Sequence, residues 1–111
     1  MKLEEIGLKL CQNLKNRNYS NIAKEFGYAI AFEKPIEIAI KEDFENALQA
    51  SKCDLNSLIC EISIKQFHQD QSEFLHLIEC ILKPVQAKSR ILIEVIQNKS
   101  GFYLEQISYV V

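Results

Sequence analysis

The hydrophobic period of this chain changes once, and that change constrains the fold more than any other feature. Up to Leu48 apolar side chains recur at helical spacing, and from Ser57 they alternate with polar ones. Leu3, Ile6, Leu10 and Leu14 draw one stripe along a helix over residues 2–16, with Glu4 and Glu5 at its start and Lys15 and Arg17 at its end complementing the dipole. Ser20 is positioned to cap a short second helix over 21–26 that Gly27 stops, and residues 28–32 read as a short strand. Pro35 suits the first turn of a third helix, whose buried face is Ile36, Ile40, Phe44, Ala47 and Leu48, with Glu37 and Lys41 as an i,i+4 pair outside. Residues 51–56 form a polar connection. Strands follow over residues 57–65, 73–83, 90–97 and 102–111, the last pair joined by the turn Asn98-Lys99-Ser100-Gly101. Helices followed by an antiparallel meander define an α+β class, with N-terminal helices packed on one face of a curved sheet.

The turns set a register. A three-residue loop over 69–71 places Ile62 opposite Ile78, Cys60 opposite Cys80 and Ile64 opposite His76. A Lys99–Gly101 loop places Ile93 opposite Ile107 and Ile91 opposite Tyr109.

Composition narrows the function classes. With 111 residues, 48% of them apolar, the chain is one domain, residues 1–111, with a real core. The net charge of −2 supplies no basic face for nucleic acid, and no stretch approaches the roughly 20 apolar residues of a membrane span. The opening Met1-Lys2-Leu3-Glu4-Glu5 is too charged for a signal peptide. These features point to the cytoplasm, where Cys11, Cys53, Cys60 and Cys80 are expected as free thiols. The abundance of lysine over arginine, with many Ile, Asn and Gln, fits an AT-rich bacterial gene.

No pattern announces chemistry. The nearest cysteines, Cys53 and Cys60, lack the close spacing of a structural zinc site, so no metal is expected. Cysteine as nucleophile needs an accessible, electropositive setting, whereas Cys60 and Cys80 stand among isoleucines. The three glycines are isolated, so no phosphate loop exists and no cofactor is implied. General acid–base chemistry retains some geometry: a helix over a curved sheet leaves a pocket at its open end, and parity points His68, His76 and Glu105 into it, with Asp43 on the edge of the third helix. The plainer alternative makes His76 a hydrogen-bonded core residue, His68 a strand end, and Asp43 and Glu105 rim charges.

The opposite sheet face is expected to carry Ser63, Lys65 and Phe67, then Leu75, Leu77, Glu79 and Ile81, then Leu92 and Ile96, and finally Leu104. A solvated face is mostly polar; this mixture of large aliphatics and charges is the composition of a protein interface. A second copy of the chain is the commonest partner for such a face, giving a dimer.

Two N-terminal helices, a short strand, a further helix and a closing meander, with Asn18-Tyr19-Ser20-Asn21-Ile22-Ala23 leading through Phe26-Gly27-Tyr28 and the final Gly101-Phe102-Tyr103-Leu104-Glu105-Gln106-Ile107, resemble the nuclear-transport-factor-2-like fold, a cystatin-like cone of sheet cradling helices. The resemblance implies a wide range of activities, from isomerase-type enzymes and ligand binders to bacterial immunity proteins, and it carries no catalytic residue onto this chain. Small size, mild acidity, the absence of catalytic motifs, the AT-rich bias and the resemblance to the compact immunity members of this fold direct the expectation to an immunity protein that occludes a cognate toxin domain and is not an enzyme. Many such toxins are basic nucleases, so acidic clusters would steer association. The candidates are Glu33 and Glu37 near the first strand, Asp70 and Glu73 at a hairpin, and Glu61 with Glu79 on the sheet. The alternative is a hydrophobic-ligand binder or isomerase-type enzyme using Asp43, His76 and Glu105.

Overall fold

The computed structural model describes residues 2–28, 33–52, 54–66, 74–84, 89–99 and 101–110. Helices α1 (Leu3–Lys15), α2 (Tyr19–Glu25) and α3 (Ile36–Ser51) accompany strands β1 (Gly27–Tyr28), β2 (Leu58–Gln66), β3 (Phe74–Pro84), β4 (Arg90–Asn98) and β5 (Gly101–Val110). The strands form one sheet in the order β1-β5-β4-β3-β2, antiparallel except for β1 against β5. The helices pack on one face, which is the expected α+β class.

The apolar stripes explain the packing. Leu10, Leu14, Ile22, Ile40 and Phe44 meet Ile78, Cys80, Leu82, Ile91, Ile93, Val95 and Leu104, and all of these are fully buried. The Phe44 and Tyr19 rings meet edge to face at 6.4 Å. Gly7 lets α1 lie close on the sheet, because a Cβ there would stand 2.9 Å from the Ile62 Cδ1. Several local expectations shift. Helix α2 begins at Tyr19, so Ser20 lies inside it and Asn18 takes the cap position. Pro35 sits just before α3 rather than within it, where a missing N–H likewise costs nothing. The helix runs on through Ser51, whose hydroxyl donates to the Leu48 carbonyl at 3.1 Å and so stays within the helical turn. The ion pair on this flank joins Lys34 to Glu42 at 2.6 Å, not Glu37 to Lys41.

The first hairpin is offset by two residues from the expected pairing: Ile62 faces Cys80, Cys60 faces Leu82 and Ile64 faces Ile78. An even offset returns every side chain to its intended face, so the burial pattern survives. The expectation of free thiols fails at two positions. Cys60 bonds to Cys11 of α1, tying the helix to the edge strand, while Cys80 remains a buried thiol. The helix brings Cys11 over the sheet on the same side as Gly7, a geometry that spacing along the chain does not show.

The second hairpin reaches the expected Ile93–Ile107 and Ile91–Tyr109 pairs by another route. Its turn is two residues, not three, since Asn98 pairs with Gly101. Gly101 has φ +143°, and its N–H donates to Asn98 Oδ1 at 3.0 Å. A bulge at Glu105 then supplies the missing residue, because Val95 pairs with Leu104 but Glu94 with Gln106. Leu104 therefore turns inward and is fully buried, correcting its assignment to the outer face, while Glu105 is exposed.

Two outcomes check this architecture. Leu104→Ala should cost about 2–5 kcal/mol in urea denaturation, against under about 1 kcal/mol for Leu92→Ala on the opposite face. Replacing Cys11 and Cys60 by serine releases a cross-link spanning 49 positions and should lower stability by up to about 4 kcal/mol on the chain-entropy model.

Candidate functional site

Strand parity builds the outer sheet face. Leu77 of β3 lies beside Ile96 of β4, which pairs in turn with Tyr103 of β5. Two residues along each strand, Glu79 lies opposite Glu94; two further, Ile81 lies opposite Leu92. The face thus carries two apolar rows with a row of carboxylates between them. Ile96 is 7% exposed, and Leu77, Ile81 and Leu92 are half-buried by their neighbours alone, for the helices occupy the other side. Toward the edge, Lys65 Nζ reaches Glu79 at 2.9 Å and Lys83 Nζ reaches Glu61 at 2.6 Å. Like charges directly opposite on neighbouring strands repel. Lys65 answers only Glu79; among the described residues no ion pair or hydrogen bond engages Glu94.

The acidic candidates do not gather. Glu61 and Glu79 share the outer face, Glu33 and Glu37 are exposed at the approach to α3 and in its first turn, and Asp70 and Glu73 lie outside the described residues, as does His68. Glu94, which the sequence argument passed over, joins Glu61 and Glu79; alternation through Leu92 and Ile96 is the signal that finds it.

The proposed pocket residues are also dispersed. Tyr28 Oη donates to Asp43 Oδ2 at 2.5 Å, joining β1 to α3. Burial, and then the Asp43 carboxylate, push the Tyr28 phenol far above its ordinary range, so it stays a protonated donor. His76 Nδ1 lies 2.7 Å from Gln97 Oε1 on the adjacent strand, a side-chain hydrogen bond that holds the ring across the sheet. Glu105 stands on its bulge. No hydrogen bond or ion pair links these three among the described residues, so the structure does not assemble them into a catalytic group.

Concavities also mark the described surface. A cavity of about 200 Å³ lies between α1, α2 and β5, walled by Ile6, Phe26 and Phe102, with the exposed Lys9 and Glu25 at its rim. A broader groove of about 630 Å³ runs where α1 and α3 end, lined by Lys15, Arg17, Glu45, Gln49, Lys52 and Asp54 among others. Beside it Tyr19 Oη donates to Glu45 Oε2 at 3.1 Å, and burial followed by that carboxylate raises the phenol to about 12. Both helices turn their carbonyl ends toward this groove, which suits its cations. No group of His, Cys, Asp and Glu side chains suited to a metal occurs among the described residues, and no helix among them is long and apolar enough to cross a membrane.

The two phenols give a sign to alkaline behaviour. Above about pH 10 the unfolded chain loses phenolic protons that the folded chain retains, so unfolding free energy should fall as pH rises toward 12. Denaturant melts between pH 8 and 11 should show this slope reduced in Tyr28→Phe, which should also cost about 1.5–3 kcal/mol at neutral pH through the lost charge-assisted bond.

No family model, curated protein or solved structure matches the chain.

Proposed function

We propose that this chain is a protein-binding domain whose outer sheet face occludes a basic partner, of the kind a bacterial immunity protein makes with its cognate toxin domain. The observation that supports it is the Glu79–Glu94 pair: two carboxylates face each other between apolar rows on the uncovered side of the sheet. A partner offering an arginine or lysine between apolar side chains answers each feature. The cation relieves the repulsion at Glu94, and the aliphatics bury surface that the chain itself leaves half covered. Desolvation at the centre of such a contact strengthens the charge-assisted bonds, and the flanking Glu61 would favour the approach of a positive surface. This is occlusion rather than chemistry, and none of its steps needs a cofactor or an enzymatic group.

The product of the adjacent gene, co-expressed with this chain, is the first partner to assay. Glu94→Gln should leave stability unchanged or raise it by a few tenths of a kcal/mol, since it removes a repulsion, yet weaken the complex at least tenfold by calorimetry. Leu92→Lys should abolish binding. A complex indifferent to both substitutions would refute the outer face as the docking surface.

A second proposal rests on the cavity between Phe26 and Phe102, which is large enough for a single-ring apolar molecule. Such a ligand would raise the melting temperature, and Phe102→Ala would remove the shift while leaving the outer face unaltered.

A further inference from the structure

Strand β2 ends the sheet, so its far side has no strand partner among the described residues. It is nine residues long, and it exposes Ile64 at 40% of its surface although that side chain points to the helix side, opposite the buried Ile78. A long, exposed, aliphatic edge of this kind is a template for strand addition.

We propose that the occupant is a second copy of this chain, pairing β2 to β2 antiparallel about a twofold axis at Ser63. Charge selects this arrangement. Residues paired across an antiparallel ladder share a face, so only even registers keep the helices of both copies on the same side. In the register centred on Ser63, Glu61 of each copy stands opposite Lys65 of the other, and Ile62 opposite Ile64. The register centred on Ile62 sets Lys65 against Ile59 and Glu61 against Ser63, losing both ion pairs. The sequence Glu61-Ile62-Ser63-Ile64-Lys65 is thus complementary to itself read in reverse.

The helix layer fits the same axis. Helix α1 lies over β2 and β3, with Gly7 against Ile62 and Ile78, and Cys11 bonded to Cys60. Leu8 follows Gly7 by a turn of about 100°, on the flank from which Lys15 Nζ reaches the Leu58 carbonyl at 2.9 Å. That flank is the β2 side of the helix, and Leu8 is 47% exposed on it. Strands about 4.8 Å apart would bring the two α1 axes to about 10 Å, the separation of packed helices. Leu8 and Ile64, both exposed in one copy, are then covered by the other.

The test is light scattering coupled to size exclusion over a concentration series, on the wild type and a charge-swap set. The wild type should give twice the chain mass at high concentration. Glu61→Lys and Lys65→Glu should each weaken association roughly tenfold or more by opposing like charges twice in the dimer. The double variant E61K/K65E should restore it, although it spoils the Lys83 and Glu79 contacts within each chain. Leu8→Glu, at a helix position outside the chain's own core, should also shift the protein to monomer. A wild type that stays monomeric at millimolar concentration overturns the proposal. So does a dimer that the swap fails to rescue, or one broken by Leu92→Lys and not by Leu8→Glu.

Discussion

The structure depends on burying one face of β3 and β4. Ile78, Cys80, Leu82, Ile91, Ile93 and Val95 are all inaccessible, and each aliphatic among them contributes about 1.5–3 kcal/mol relative to exposure. Every helix is committed to that face: α1 through Leu10 and Leu14, α2 through Ile22, and α3 through Ile40 and Phe44. Because the helices all pack on one side, no helix among the described residues covers the other. The outer apolar rows and their opposed carboxylates follow from this asymmetry.

The bulge at Glu105 adjusts that asymmetry at the far side of the sheet. Leu104 and Ile107 are three positions apart and would face opposite ways along a regular strand, yet both are buried. One extra residue between them makes this possible, and its exposed side chain is the Glu105 that simple alternation would have turned toward the helices. The bulge increases local twist and leaves β5 able to carry both β1 and β4 while α3 packs over it. At the other side, the Cys11–Cys60 bond and the close approach at Gly7 hold α1 along β2. The helix therefore frames that edge.

Much of this was legible in the sequence. The change from a 3.6-residue to a two-residue period announces helices followed by a meander, and the alternation of Leu58, Cys60, Ile62 and Ile64 assigns their common face. The β2–β3 register was not legible, because either of two even offsets satisfies the same pattern. A bulge has no local signature when the residues around it, Leu104-Glu105-Gln106-Ile107, alternate plausibly in either frame. Cysteine pairing depends on how α1 lies over the sheet, which spacing does not encode. The candidate site was partly readable. Outer-face aliphatics and Glu79 follow from parity, whereas the Asp43, His76 and Glu105 grouping assumed a regular β5 and a carboxylate free of Tyr28. Both assumptions concern tertiary contacts.

The central claim is that the sheet is buried on one side and open on the other, and methyl NMR with a soluble paramagnetic agent measures this directly. Leu77, Ile81 and Leu92 should be broadened in the isolated chain, while Ile78, Leu82, Ile91, Ile93 and Leu104 keep sharp signals. Association through the β2 edge leaves this outcome unchanged, since the outer face stays open in such a dimer. Protection of Leu77, Ile81 and Leu92, or broadening of Ile91 and Ile93, would contradict the account.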